Sequence, residues 1–187
     1  VLGFTSGQND MGTAGQWLEG QTYTIDVYAN DTSSHTTHEQ YNVTVDDTAP
    51  TVNLITATSG YWNDSTPSLV FNYTDNLDST VICSLQINSS YYGTNSSTAD
   101  GTSTTITANT TLSDGSYSWN VLCTDGAGNY NNISAGRRTF IIDTTAPVLI
   151  SNETDETSYN IGDNAKINTK WTDQYVTSGN NITCYLY

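Results

Sequence analysis

Three groups of side chains in this sequence have types and spacings that could do chemistry. The first is acidic: Asp46 and Asp47 are adjacent, Asp75 and Asp78 lie three apart, and Asp125 precedes Asn129 by four, each in a setting rich in Gly, Asn, Thr or Pro. Oxygen donors in turns suit a hard cation such as calcium, which takes about six to eight oxygens, and the same residues are ordinary turn formers. The second group is sulfur, with Cys83, Cys123 and Cys184. The third is amide: ten Asn-x-Ser/Thr sequons begin at Asn30, Asn42, Asn63, Asn72, Asn88, Asn95, Asn109, Asn132, Asn152 and Asn181, none with Pro in the middle. Each is an acceptor for an N-linked glycan, and some arise from a composition rich in Ser, Thr and Asn. His35 and His38 form an isolated His-x-x-His beside Glu39. Zinc needs more ligands, rigidly held, so this pair reads as part of a solvated loop. No nucleophile with its base, paired-carboxylate signature or phosphate loop stands out, and enzyme activity is unsupported.

Four Lys and Arg against nineteen Asp and Glu leave a net charge of −15. That charge repels nucleic acid and anionic membranes and favours cations as partners, although single, scattered acidic residues also serve simply as a solubilising surface. The density of sequons and two cysteines at strand-like positions point to a secreted, oxidising setting. No signal peptide, initiator Met or apolar run long enough to span a bilayer is present, so the chain is expected to be a mature or excised portion of something longer.

The elements that must position these groups come from an internal repeat. Asp46-Asp47-Thr48-Ala49-Pro50 recurs as Asp143-Thr144-Thr145-Ala146-Pro147, preceded by Val45 and Ile142. Upstream, the block from Gly20 to Ala29 resembles that from Gly115 to Cys123; downstream, Phe71–Asp75 resembles Thr169–Asp173 and Val81–Leu85 resembles Asn181–Tyr185. Helix formers are scarce and no long segment shows helical periodicity. A nearly all-β chain with a repeat of a little under a hundred residues has the size of tandem immunoglobulin-like β-sandwiches. The phase gives one complete and two partial units: residues 1–45 hold the second half of a domain, 46–143 a whole one, and 144–187 the first half of another.

Within the whole unit, alternation and turn residues place strand A at 51–55, B at 68–74, C at 80–87, E at 104–112, F at 117–124 and G at 139–142, with 88–102 as a Ser/Thr/Asn/Gly stretch between strands. The expected core is Val52, Leu54, Leu69, Phe71, Val81, Leu85, Ile106, Trp119, Val121 and Phe140. Cys83 on C and Cys123 on F then fall on adjacent strands. A disulfide clamping that sheet outweighs a metal or catalytic role, since the unit contains no third thiol and no His. Cys184 occupies the position matching Cys83, and Ala29 stands where a partner would be in the first half-unit.

Asp125-Gly126-Ala127-Gly128-Asn129, followed after a strand by Ile142-Asp143-Thr144-Thr145-Ala146-Pro147, resembles the repeat signature of bacterial and archaeal surface immunoglobulin-like domains, which build adhesin stalks and related cell-surface proteins. In the first half-unit Ser33–His38 replaces the Ala-Gly-Asn turn. In such a sandwich the B–C loop, the F–G loop and the incoming linker meet at one pole, which would gather Asp46, Asp47, Asp75, Asp78, Asp125 and Asn129 into a calcium site. The resemblance adds weight, because calcium stiffens joints in some of these proteins.

The expected role is structural: an extracellular cell-surface filament, stalk or S-layer element whose partners are copies of itself, head-to-tail or in tandem. Neighbouring subunits could complete one another's partial sandwiches by supplying strands, or the missing halves could be continuous in a longer chain. The alternative class is a binding module, an adhesin segment recognising glycans or a receptor through Tyr91, Tyr92 and Tyr130. Asn72, Asn88, Asn95 and Asn132 are the foremost glycan sites, on outward strand positions or loops.

Overall fold

The computed structural model describes residues 17–57, 60–131, 136–154, 160–162 and 167–174, and the described elements are all β-strands. Asn132, Asn181 and Cys184 lie outside the described residues. Twelve strands run in chain order: β1 Thr22–Asn30, β2 Thr36–Thr44, β3 Thr51–Leu54, β4 Gly60–Trp62, β5 Ser68–Thr74, β6 Thr80–Ile87, β7 Ser90–Ala99, β8 Thr104–Thr107, β9 Gly115–Thr124, β10 Arg138–Ile142, β11 Val148–Thr154 and β12 Ile167–Thr172.

Strands β3 to β10 form two sheets, β3-β5-β8 and β4-β10-β9-β6-β7. Every pairing is antiparallel except β4 with β10, which is parallel. Leu69, Phe71 and Tyr73 from β5 face Val81, Cys83, Leu85 and Ile87 from β6, Trp119, Val121 and Cys123 from β9, and Phe140 and Ile142 from β10 across a continuous buried core. Each fully buried aliphatic or aromatic side chain contributes about 1.5–3 kcal/mol. This is an immunoglobulin-like β-sandwich. Nine of the ten expected core residues are buried, and Val52 is half-buried at the margin of the cluster.

Three expectations about strands need correction. The stretch 88–102 is not a loop: Asn88 and Ser89, both at positive φ (47° and 71°), make a two-residue turn that folds the ten-residue β7 back onto β6. Only Tyr92 and Thr98 of β7 turn towards the core, so the strand lacks the apolar alternation that identifies its neighbours. Strand E ends at Thr107, after which Ala108 and Leu112 still fill the core from an irregular segment. Strand A ends at Leu54, and the chain then crosses between sheets to form β4. Arg138 donates to Ile55 O (2.9 Å) and Thr56 O (2.6 Å) at that crossing. His38, expected in a loop, lies on β2, where its Nε2 is 2.6 Å from Asp26 Oδ1 and its ring stacks on Tyr28.

Cys83 and Cys123 are bonded (S–S 2.05 Å) and face each other in the β6–β9 ladder with a Cα separation of 4.1 Å, the spacing of a non-hydrogen-bonded antiparallel pair. Cys123 therefore turns its backbone N–H and C=O towards the opposite edge, where β10 has already ended at Arg138. Asn131 takes over there. Its Oδ1 accepts Cys123 N–H (2.6 Å), its own N–H donates to Cys123 O (3.3 Å), and its Nδ2 donates to Val121 O (2.9 Å). A buried side chain thus extends the ladder beyond β10.

Asn131→Ala should lower stability by about 2–3 kcal/mol, because it leaves buried backbone groups of β9 unpaired. Reducing the disulfide, which spans 40 residues, should cost about 3–4 kcal/mol. Urea unfolding of each form checks both values; an unchanged midpoint would contradict these roles.

Candidate cation site at the linker pole

The incoming linker, the β5–β6 loop and the β9–β10 loop converge at one end of the sandwich. Asp75 opens the β5–β6 loop as an Asx turn: its Oδ1 accepts the N–H groups of Leu77 and Asp78 (both 2.9 Å). Asp78 then reaches across, its Oδ2 accepting Gly126 N–H (3.1 Å). Asp125 shapes the β9–β10 loop, its Oδ1 accepting the N–H groups of Gly128 and Asn129 (2.7 and 2.8 Å) while Gly128 takes φ +98°. Asn129 Nδ2 donates both to Asp125 Oδ2 (2.9 Å) and to the linker carbonyl Asp46 O (3.0 Å).

The result brings one carboxylate oxygen each from Asp46, Asp75 and Asp78 within 4.8 Å of one another, all three residues half-buried. Asp125 and Asn129 brace this group from the side and spend their polar atoms on the turn and the linker. Asp47 turns the other way, towards Glu19. Among the described residues no cation pairs with Asp46, Asp75 or Asp78; the two histidine–carboxylate contacts, His35–Asp31 and His38–Asp26, lie in the β1–β2 hairpin.

The electrostatics follow from that imbalance. Burial, and after it the charges of Asp125, Glu19 and Asp75, push the Asp46 carboxyl above the usual aspartate value. Tyr73, whose hydroxyl donates to Thr98 O (3.1 Å) beneath the cluster, is pushed up to about 12 by burial and then by Asp100, Asp75 and Asp78. Asp75 Oδ2 is buried and has no hydrogen-bond partner. An all-oxygen donor set with an orphaned carboxylate oxygen fits a hard divalent cation, and the lack of sulfur or imidazole makes it a poor match for zinc.

Sequence reasoning missed two acidic residues at the joints. Glu19 Oε2 accepts the N–H of Asp47 (2.8 Å) and its Oε1 accepts Asn76 Nδ2 (2.5 Å). The backbone bond to Asp47, and then the bond to Asn76, hold Glu19 down at about 2. Asp114 does the same at the next linker, accepting Thr144 N–H (2.9 Å) and Thr144 Oγ1 (2.7 Å). Both precede the first strand of a hairpin that leads into an Asp-x-Thr-Ala-Pro linker. Comparing what precedes the two hairpins, not only the hairpins themselves, would have found them.

Tyr91 and Tyr130 are exposed and sit on β7 and the β9–β10 loop, while Tyr92 packs against the core.

Residues 55–144 match the family model of the bacterial Ig-like domain. No curated protein matches the chain significantly. The Ig-like match supports a surface or extracellular role and a domain type that is typically not an enzyme. The disulfide is compatible with that setting. No helix among the described residues is long and apolar enough to cross a membrane.

Calcium added to chelator-treated protein should raise its thermal midpoint, by about 2.7 kcal/mol of stability at a concentration about a hundredfold above Kd. Asp75→Ala should remove most of that gain; no heat on calorimetric titration and an unmoved midpoint at millimolar calcium would be the contrary result. The pH dependence has a definite sign. A carboxyl raised in the folded state costs stability that accrues as pH rises from its unfolded to its folded value and is fully present above the folded value, and calcium offsets that penalty. The calcium effect should therefore fade on acidification at a higher pH than the ordinary aspartate value of 3.8 would give.

Proposed function

We propose that this chain is a stretch of an extracellular surface filament, stalk or layer built from tandem Ig-like domains, with calcium at the linker pole. The β1–β2 hairpin is the F–G half of one domain, residues 46–143 are a whole domain, and β11–β12 is the A–B part of the next.

The observation that carries this reading is register. With Ala29 set on Cys123 and Val45 on Ile142, the pair Tyr23↔Val43 falls on Tyr117↔Phe140. With Pro147 set on Pro50, Leu149↔Trp171 falls on Val52↔Tyr73 and Val148↔Thr172 on Thr51↔Thr74. The first flanking ladder follows that of the complete domain from Thr22↔Thr44 to Ile25↔Tyr41, and the second follows it at its first two pairs, before a register shift beyond Leu149; that agreement is what a tandem array requires. Their apolar faces agree: Tyr41 and Val43 are exposed beside half-buried Tyr23, Ile25 and Val27, and Leu149 and Trp171 are exposed where Val52 and Tyr73 pack in the complete domain.

The parallel β4–β10 pairing suits load. Force entering through the linker before β3 and leaving after β10 pulls these neighbours in opposite directions along their length. Their hydrogen bonds, extended by Asp143 N–H to Trp62 O (2.9 Å), are then strained together instead of one at a time.

Single-molecule stretching tests the reading. The complete domain should rupture in one discrete event, and the 40-residue disulfide loop, at roughly 3.4 Å per residue, should withhold about 140 Å of extension until reduced. Gradual extension without a rupture event would reject a load-bearing role.

A further inference from the structure

Asn76, Asn129 and Asn131 each donate from Nδ2, to Glu19, to Asp46 O with Asp125, and to Val121 O respectively, and none begins a sequon. None of the eight described sequon asparagines donates from Nδ2. Where their side chains bond, they do so through Oδ1: Asn42 accepts from Thr24 Oγ1, Asn88 from Ser118 N–H and Oγ, Asn95 from Ser97 N–H, and Asn109 from Thr110 Oγ1. N-glycosylation replaces an Nδ2 hydrogen and leaves Oδ1 free to accept, so every one of these bonds survives the modification.

Two of these residues flank one feature. The free edges of β7 and β8 meet where Gly93 (φ +156°) comes so close to β8 that a Cβ would lie 2.8 Å from Ile106 Cγ2, and where Asn109 N–H donates to Tyr92 O (2.7 Å). Beyond that contact they enclose a groove of about 490 Å³, with Gly93 to Ser96 on one lip and Thr105 to Thr107 with Asn109 on the other. Asn95 stands on one lip and Asn109 on the other. On the opposite side the chain's own crossing from β3 to β4 and Arg138, which donates to Ile55 O and Thr56 O, cover part of the gap beside a groove lined by β3, Asn131 and Arg137. The β7/β8 side has no such cover, and charge does not protect it: in a chain of net charge −15, residues 79–113 carry only Asp100. A ten-residue, uncharged, proline-free edge strand invites another strand to pair with it.

Resting on the reading that the chain is an extracellular glycoprotein, we propose that N-linked glycans on Asn95 and Asn109 stand over the β7/β8 groove and block strand addition along this edge. The hydroxyl- and amide-lined walls offer hydrogen bonds to the proximal sugars, while the bulk of the glycans keeps another backbone from approaching β7.

The test uses protein secreted from a host that glycosylates Asn-x-Ser/Thr. Ser97→Ala with Thr111→Ala removes both acceptors and leaves both asparagines and the Ser97 N–H bond in place; Thr32→Ala removes the remote Asn30 site as a control. Site-resolved mass spectrometry should find glycan on Asn95 and Asn109, and sedimentation should show the double variant self-associating at a roughly tenfold lower concentration than wild type or Thr32→Ala. The β7 amides should become protected from hydrogen exchange in the associated form. Bare Asn95 and Asn109 would overturn the proposal, and a bare intact mass would take the glycoprotein reading down with it. Occupied sites whose removal leaves the protein as monomeric as the control would overturn the shielding role alone.

Discussion

Strand β9 sets the constraint on which the rest of this fold depends. It lies between β6 and β10, and with Trp119, Val121 and Cys123 buried its backbone groups have no water to turn to. Towards β6 the ladder is continuous from Trp119 to Thr124; towards β10 it stops at Trp119. Everything past that point needs another partner, and Asn131 supplies it from the loop. The loop must then return at a set height, which explains the tight Asp125 to Asn129 turn: it brings the chain back within reach of the edge it has just left. The disulfide belongs to the same solution. It sits at a pair whose backbone groups face outwards, linking β6 to β9 where hydrogen bonds between Cys83 and Cys123 do not.

The turn that returns Asn131 also builds the linker pole. Asp125 is committed to backbone donors, so its charge is partly compensated, yet it still raises Asp46. Glu19 and Asp46 show opposite responses to one crowded region. Glu19 accepts two strong hydrogen bonds and is held anionic; Asp46, with fewer donors and more burial, is pushed towards its neutral form. A joint held only by Glu19 would work against the repulsion among Asp46, Asp75 and Asp78. A divalent cation reverses the sign of that repulsion and makes the same carboxylates cohesive.

How much of this could be read in advance follows from what each residue has to do. Strands β5, β6 and β9 announce themselves because they are buried on one face, so Leu69, Phe71 and Tyr73, or Trp119, Val121 and Cys123, must alternate. Strand β7 is an edge whose inner face is nearly used up by Tyr92 and Thr98, and its turn is Asn-Ser instead of the more familiar Asn-Gly. Alternation therefore had nothing to detect. The convergence of Asp46, Asp75 and Asp78 was legible because loop positions in this sandwich follow from strand order alone. The turning away of Asp47 was not, because it depends on Glu19, a residue outside the complete domain. Asn131 was invisible for a similar reason: its neighbours give no sign that β10 begins too late to finish the ladder.

Edges bring the two halves of the molecule's chemistry together. An open two-sheet sandwich does not close into a barrel, so the domain retains edge strands on both sides. On the β3/β4 side a backbone crossing and one arginine occupy backbone groups of Ile55 and Thr56. On the β7/β8 side the usual defence, charged side chains, is absent, although the chain spends acidic residues freely elsewhere. Acidic residues there would have to share a groove with buried Ile106, where desolvation would raise their cost. A neutral asparagine avoids that penalty, caps a β7 N–H through its own Oδ1, and leaves Nδ2 available to carry a large hydrated group. On the proposed reading, attached sugar would place bulk outside the fold without placing charge inside it, in keeping with an uncharged stretch that carries the sequons Asn88 in the β6–β7 turn, Asn95 on β7 and Asn109 just past β8.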